Sequence, residues 1–166
     1  MKSKQQLTNT TNSMAANKKD NKLVMWVCFI AYLLLLVYVV FFSSGFGRED
    51  HAEYRYNLTL FQEIGRYYGV GIRTGYWSLF GLNVIGNICV FMPWGMFLPS
   101  LFVKCRKLLL VVVLSLELSL LVEVIQLVTR VGSFDVDDLL LNTIGGMLGY
   151  FIYKIFTGIT SLRRKG

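Results

Sequence analysis

The sequence predicts an all-α polytopic membrane protein with four transmembrane helices and a short interfacial helix between the first two spans. Two observations predict this fold class. The 166-residue chain is 54% hydrophobic and only 16% charged, which is too apolar a balance for the surface of a soluble domain. The apolar residues also cluster into four long runs, and such runs are typical of membrane-spanning helices.

The N-terminal segment differs in composition from the rest of the chain. Residues 1–22 are polar and rich in Asn, Thr, Ser and Lys, which predicts a disordered tail. The first span is predicted over residues 23–42, a run without a charged residue. A helix of this length reaches about 30 Å, enough to cross the hydrocarbon core of a bilayer.

The connection between the first and second spans mixes charged and aromatic side chains, as is common at a membrane surface. Within it, Leu58, Phe61, Ile64 and Tyr68 follow helical spacing. This spacing predicts an interfacial helix over residues 57–68. Opposite charges are interspersed here and no basic stripe forms, so we expect no nucleic-acid partner.

Three further spans complete a predicted membrane domain over residues 23–156. They are placed at about residues 79–103, 108–128 and 139–156, and a basic tail follows over residues 157–166. Pro93 lies inside the second of the four spans. Because proline lacks the backbone N–H and clashes one turn back, we expect a kink or break near residues 89–92.

The distribution of Lys and Arg predicts the orientation. With four spans, both termini and the connection between the second and third spans lie on one side of the membrane. That side holds 12 of the 17 basic residues, and the other side holds the remaining five, which are Arg48, Arg55, Arg66, Arg73 and Arg130. By the positive-inside rule, both termini are predicted to be cytoplasmic.

Polar residues inside the spans predict a functional site beneath the outer surface, since such residues are costly in a bilayer. At about 100° per residue, Glu123, Gln126 and Arg130 share one face of the third span. Asp138 and Asn142 share one face of the fourth by the same arithmetic. The complete predicted ligand-binding set is Asn83, Asn87, Glu123, Gln126, Arg130, Asp135, Asp138 and Asn142.

Several chemistries are open for this cluster. Glu123 and Asp138 could serve as a general acid and base. Asp135, Asp137 and Asp138 could hold Mg²⁺ or Ca²⁺, and Arg130 could bind a phosphate or carboxylate group. In a purely structural role the polar side chains would only join helices. No nucleophilic triad and no phosphate-binding loop is visible in the sequence, so we assign no catalytic residue and expect no cofactor.

Two further features bear on assembly. Gly145 and Gly149 form a Gly-x-x-x-Gly pair, which predicts close helix packing within the chain or in a homo-oligomer. Glu117 lies roughly 120° away from Glu123 on the third span and has no evident partner. It is either protonated or faces another subunit.

The motifs also match a family pattern. They run through Arg55-x-Asn57-Leu58, Asn87-x-x-x-Phe91-x-Pro93-x-Gly95-x-x-x-Pro99, Glu123-x-x-Gln126 and Asp135-x-Asp137-Asp138-x-x-x-Asn142-Thr143-x-Gly145-Gly146-x-x-Gly149. With these motifs the chain resembles the VanZ-like family of small bacterial membrane proteins, over about residues 55–156. Leu60 departs from the pattern, which often has proline after Asn-Leu.

The resemblance implies a protein of the bacterial plasma membrane with an envelope role. The family's namesake is associated with resistance to the glycopeptide antibiotic teicoplanin, while the family as a whole has no defined biochemical activity. Our leading hypothesis is a non-enzymatic factor that binds the head group of a membrane lipid or lipopeptide at the outward-facing polar pocket. The alternatives are an enzyme acting on a lipid-linked cell-wall substrate and a small transporter subunit assembled through the Gly145/Gly149 face.

Overall fold

The computed structural model describes residues 2–42 and 54–163, and the side chains of residues 21–41 and 54–159. The elements of the described chain follow one another in this order: α1 (Lys2–Phe42), β1 (Tyr56–Asn57), α2 (Gln62–Thr74), α3 (Ser78–Phe80), a π-helical turn (Gly81–Ile85), α4 (Gly86–Leu101), a 3-10 helix (Val103–Arg106), α5 (Leu108–Thr129), β2 (Phe134–Asp135) and α6 (Val136–Arg163).

Four helical segments of the described chain are long and apolar enough to cross a membrane. They are Asn21–Phe41, Ser78–Leu101, Leu108–Thr129 and Val136–Ile159. The predicted all-α fold with four spans is therefore confirmed. Each observed bound lies within about three residues of the predicted one, because the apolar runs themselves set the length of each span.

The helix α1 begins at Lys2, where the sequence predicts a disordered tail over residues 1–22. Residues 2–22 contain neither glycine nor proline, so nothing in them interrupts a helix that is nucleated in the apolar run. Extending an existing helix costs much less than starting one. The chain thus departs here from what its composition alone indicates, and α6 likewise continues to Arg163, past the predicted end of the fourth span.

The interfacial helix begins later than predicted. We expected it over residues 57–68, whereas α2 spans Gln62–Thr74. The side-chain oxygen of Asn57 accepts the backbone N–H of Thr59 at 3.0 Å, which forms a turn in place of helix. Phe61 then adopts a left-handed φ of 65°, so that regular helical geometry starts only at the next residue.

Before this turn the chain pairs with a distant segment. Tyr56 and Asn57 form a short parallel ladder with Phe134 and Asp135. The backbone N–H of Phe134 also donates to the carbonyl of Arg55 at 3.0 Å. The ladder joins the connection after α1 to the connection after α5 at one end of the helix bundle.

The N-terminus of α2 is capped by a side chain from a different helix. Asp137, in the first turn of α6, accepts the N–H of Phe61 at 2.5 Å with one carboxylate oxygen. Its other oxygen accepts the N–H of Glu63 at 2.9 Å and of Ile64 at 3.2 Å. Phe61 has no side-chain oxygen of its own to cap the helix. Asp137 therefore supplies both the hydrogen-bond acceptors and the negative charge that a helix N-terminus favours.

The second span contains an irregular turn, but this turn lies before the position that the sequence predicts. The helix α4 is unbroken from Gly86 to Leu101 although it contains Pro93 and Pro99, so the break expected near residues 89–92 does not occur. The irregular turn precedes α4, where the N–H of Gly86 donates to the carbonyl of Gly81, five residues back. Proline removes a single hydrogen bond, and the bonds on either side of it hold this helix together.

The helices α4 and α6 pack against each other more extensively than any other pair, and glycines permit their close approach. A Cβ added at Gly145 would collide with the carbonyl of Ile88, and one at Gly149 with the carbonyl of Met92. The glycine face of α6 is thus covered by α4 of the same chain. Assembly of a homo-oligomer or transporter through the Gly145/Gly149 face is incompatible with this packing, and that expectation is corrected.

The close packing at Gly149 has a measurable consequence. We expect Gly149→Ala to destabilise the protein by about 1–3 kcal/mol, the usual cost of forcing extra atoms into a packed site. A lower apparent Tm in detergent would report the loss. Gly158→Ala is the matched control on the same helix, since a Cβ added there meets no atom within 4 Å. Equal Tm values for the two variants would contradict the packing assignment.

The cap provided by Asp137 can be tested separately. We expect Asp137→Ala to weaken α2 by about 0.5–2 kcal/mol, as loss of an N-cap does. Hydrogen exchange at the amides of Glu63 and Ile64 should accelerate, while exchange in the middle of α5 stays unchanged. Glu63→Gln, which removes only the local ion pair with Arg66, should leave those amides protected. Unchanged protection in Asp137→Ala would refute the cap.

Candidate functional site

Glu123 occupies the centre of the polar end of the bundle. It lies in the last two turns of α5 and is only 1% exposed. One of its carboxylate oxygens accepts the backbone N–H of Asp135 at 2.9 Å. A carboxylate removed from water must be hydrogen-bonded to be tolerated. This bond fixes the connection between α5 and α6 against the end of α5.

Asp135 also accepts a backbone N–H with its carboxylate, as Glu123 does. Its Oδ1 accepts the backbone N–H of Asp137 at 2.8 Å and the side-chain N–H of Asn57 at 3.0 Å. Burial raises the pKa of Asp135 above its ordinary value, and these two hydrogen bonds partly offset that rise. Asp135 therefore links the strand ladder to the first turn of α6.

Glu123, Asp135 and Asp137 together form what we call the carboxylate chain. The carboxylate of Glu123 accepts the N–H of Asp135, and the carboxylate of Asp135 accepts the N–H of Asp137. The carboxylate of Asp137 in turn accepts the N–H groups at the start of α2. The chain connects α5, the strand ladder, α6 and α2 in a single series of hydrogen bonds.

Two further polar contacts join the spans below this end. Asn87 of α4 donates its side-chain N–H to Asp138 of α6 at 2.5 Å. One turn deeper in α6, Asn142 donates to the hydroxyl of Ser119 of α5 at 2.9 Å. The side-chain oxygen of Asn142 is buried, and it has no hydrogen-bond partner within the part of the chain that the structure describes. These contacts hold three spans at a common depth.

The remaining predicted residues lie apart from this network. Gln126 donates to the carbonyl of Val40 at 3.0 Å and so connects α5 to α1. Asn83 donates to the carbonyl of Leu79, one turn back on its own helix. Arg130 is exposed, and its guanidinium carbon lies 4.6 Å from the centre of the Tyr54 ring, a favourable cation–π distance.

The structure therefore divides the predicted ligand-binding residues among several contacts. Glu123 and Asp135 are joined directly, and so are Asn87 and Asp138. Gln126, Asn142 and Asn83 have separate partners. The hydrogen bonds of Asn87, Gln126 and Asn142 each join two different spans, and such bonds stabilise the packing of spans.

The structure bears on two of the chemistries that the sequence leaves open, acid–base catalysis and metal binding. Glu123 accepts the backbone N–H of Asp135, and Asp138 accepts the side-chain N–H of Asn87. The carboxylates of Asp135 and Asp137 also accept hydrogen bonds from separate partners, the Asn57 side chain and the Glu63 backbone. Among the described residues there is no group of three or more His, Cys, Asp or Glu side chains placed to hold a metal ion.

Sequence reasoning missed several residues of the network. Ser115 and Ser119 are fully buried in α5, and their spacing of four within an apolar run was a readable signal of a contact face. The sequence places Asn57 in the family pattern and at the start of the predicted interfacial helix, and neither assignment indicates its bond to Asp135. The sequence offers Asp137 as a possible metal ligand and as part of the family pattern. Its role as a cap is not predictable, because no local pattern indicates that an acidic residue caps a helix 73 to 76 residues earlier in the chain.

Comparison with known proteins agrees with the motifs. The family model described as VanZ/LLP1 matches residues 29–157. A relative from Enterococcus faecium named Protein VanZ is 29% identical over 130 residues, which cover 75% of this chain and 70% of the relative. No solved structure matches this chain significantly.

The match includes the whole of the second and third spans, part of the first, nearly all of the fourth, and every residue of the carboxylate chain. The resemblance found in the sequence motifs is thereby confirmed. Since the family model covers well over half of the sequence, the chain belongs to the VanZ/LLP1 family.

Proposed function

We propose that the protein is a bacterial plasma-membrane protein that contributes to resistance to teicoplanin-type glycopeptides. The observation that carries this proposal is the family match over residues 29–157, together with the similarity to Protein VanZ of Enterococcus faecium. The four apolar helices support the membrane location. The activity itself is non-enzymatic in this proposal and consists of binding an envelope lipid or lipopeptide head group.

The burial of the carboxylates shapes how such binding would occur. Glu123 and Asp137 are each 1% exposed, so neither is placed to touch a ligand at the surface. Their role in this proposal is to hold the strand ladder, α2 and the connection from Arg130 to Phe134 in a fixed arrangement. The head group is then bound by exposed residues of these segments. This changes our expectation that Glu123 contacts the ligand directly.

Arg130 is the residue best placed to bind a head group. It is exposed at the end of α5, with a left-handed φ of 59°, and its guanidinium lies over the Tyr54 ring. A guanidinium binds phosphate or carboxylate groups through paired hydrogen bonds. Stacking on an aromatic ring limits the conformations of the long side chain, which reduces the entropy lost on binding.

The segment after α2 adds a membrane-facing surface to the same end of the bundle. Tyr76 and Trp77 are exposed, and aromatic side chains of this kind favour the level of the lipid head groups. Arg73 in the last turn of α2 adds a positive charge. In this proposal the surface faces outward, where a glycopeptide and its cell-wall targets would be met, and the basic-rich end faces the cytoplasm.

The enzyme hypothesis draws no support from a specific observation. It requires Glu123 and Asp138 to act together on a bound substrate, whereas Glu123 is buried and accepts a backbone N–H. A transporter subunit assembled through Gly145 and Gly149 is likewise unsupported, because α4 of the same chain covers these glycines. The binding hypothesis is therefore the one we retain.

Expression of the chain in a glycopeptide-susceptible Gram-positive host tests the proposed function. We expect the minimal inhibitory concentration of teicoplanin to rise relative to an empty vector. The minimal inhibitory concentration of an antibiotic of another class, one that acts inside the cell, should stay unchanged. Equal rises for both antibiotics would indicate a general change in the envelope, and no rise for teicoplanin would contradict the proposal.

The role of Arg130 has its own test. Arg130→Gln removes the positive charge and the paired hydrogen bonds, so we expect it to abolish the rise in teicoplanin tolerance while leaving the Tm in detergent unchanged. Arg106→Gln is the matched control, because Arg106 is also exposed but lies between α4 and α5, at the opposite end of the bundle. Full tolerance in Arg130→Gln would exclude Arg130 from the binding surface.

A further inference from the structure

The end of the helix bundle opposite the carboxylate chain exposes lysine side chains from three elements. They are Lys104 and Lys107 in the connection between α4 and α5, Lys22 on α1 and Lys154 on α6. All four side chains are exposed. Among the side chains that the structure describes, the acidic one nearest to this end is Glu117, nine residues after the start of α5. The described part of this end therefore carries positive charge without an acidic side chain beside it.

The start of the connection contacts α1. The ring of Phe102, directly after α4, packs edge-on against the ring of Trp26, with 5.6 Å between the ring centroids. Lys22 precedes Trp26 by four residues, so it lies on the same face of α1 and one turn closer to the end of the bundle. This contact places Lys22 beside the connection. Asp20, the acidic residue closest to Lys22 in the sequence, directly follows two further lysines, so this part of α1 is positive overall.

The end of the connection is fixed by α6. The hydroxyl of Tyr150 donates to the backbone carbonyl of Arg106 at 2.9 Å, and Cys105 is buried against Tyr150 and one residue each of α4 and α5. Lys154 follows Tyr150 by four residues, so it lies on the same face of α6 and one turn closer to the end of the bundle. The lysines of α1 and α6 are thus brought to the start and the end of one connection whose backbone is held in place.

Exposed apolar side chains lie among these lysines. Val103 and Leu109 are 72% and 75% exposed, and Phe102 is 38% exposed. In the 3-10 helix, residues three apart lie on one side, so Arg106 shares the side of Val103 and lies about 120° from Lys104. Arg106 therefore contributes its backbone carbonyl, rather than its charge, to the arrangement of the lysines.

We propose that Lys22, Lys104, Lys107 and Lys154, which we call the lysine site, bind the phosphate head group of an anionic phospholipid in the leaflet around this end of the bundle. An ammonium group donates charge-assisted hydrogen bonds to phosphate oxygens, and several basic residues next to the end of a membrane span are the pattern that recognises anionic lipids. Because α1 and α6 already fix the connection, its backbone loses little entropy when the lipid binds.

The position of the lysine site favours a lipid over an acidic protein segment or a nucleic acid. Lys104 lies three residues after the end of α4 and Lys107 directly precedes α5, so both are placed where the apolar spans end and the head groups begin. Val103 and Leu109 beside them are suited to contact with acyl chains. A phospholipid matches both kinds of side chain, whereas a water-soluble polyanion matches the lysines alone. The proposal does not rest on the proposed function, in which a head group binds at the opposite end near Arg130.

Fluorescence quenching by brominated lipids tests the lysine site separately from the opposite end of the bundle. Trp77 and Trp94 are first replaced by phenylalanine, which leaves Trp26 as the remaining tryptophan, and the Tm in detergent verifies that the protein still folds. The protein is then placed in phosphatidylcholine nanodiscs that contain either brominated phosphatidylglycerol or brominated phosphatidylcholine. We expect half-maximal quenching at a fraction of brominated phosphatidylglycerol about fivefold lower, the preference that one lysine at the membrane surface supplies.

Variants of the connection show whether the lysine charges hold the lipid. The double variant Lys104→Gln and Lys107→Gln should quench equally with both lipids. The matched control, Lys104→Arg and Lys107→Arg, keeps the positive charges and should keep the preference. Arg66→Gln removes a charge from exposed α2 at the opposite end and should also keep it. Native mass spectrometry of the same variants with all three tryptophans present should give the same order of retained phosphatidylglycerol.

Four results would overturn the proposal. Equal quenching by the two lipids with all lysines present would show that the site does not select an anionic lipid. An unchanged preference in the double glutamine variant would show that the lysines do not hold it. An equal loss of preference in Arg66→Gln would indicate a general effect of net charge. Displacement of the brominated phosphatidylglycerol by a glutamate-rich peptide would identify an acidic protein segment as the better occupant.

Discussion

The arrangement of the whole polar end depends on carboxylates that accept hydrogen bonds from the backbone. Glu123, Asp135 and Asp137 are all buried, and each accepts at least one backbone N–H at or just before the start of a helix, where the helix itself offers no acceptor. Away from water, unpaired N–H groups would each cost free energy. The carboxylates remove that cost and allow irregular chain to persist beside the ends of four spans.

In this arrangement the residues that hold the polar end together differ from those that lie at its surface. The buried residues position the strand ladder and α2, whereas the exposed residues, Arg130 and Tyr54 among them, lie at the surface. A site built in this way gains precision from its rigid support. Under the proposed function, substitutions of the buried residues reduce stability, whereas substitutions of the surface residues reduce binding alone.

The sequence was sufficient to predict the fold and the location of the polar cluster, and the reason is physical. Apolar runs define spans by length, and the 3.6-residue period brings Glu123 and Gln126 onto one buried face. The partners were not predictable in the same way. The contact of Asp137 with the start of α2 and the parallel pairing of Asn57 with Asp135 join segments far apart in the chain, and neither helical period nor local turn chemistry encodes such pairings.

The long separation between α2 and its cap also bears on how the protein is made. Asp137 lies 76 residues after Phe61, at the beginning of the last span. During synthesis, α2 emerges first and its leading N–H groups stay without their acceptor until α6 has entered the membrane. This end of the helix bundle is thus completed only when the final helix is in place. A chain that ends before α6 would display this surface unassembled, which gives membrane quality control a clear feature to detect.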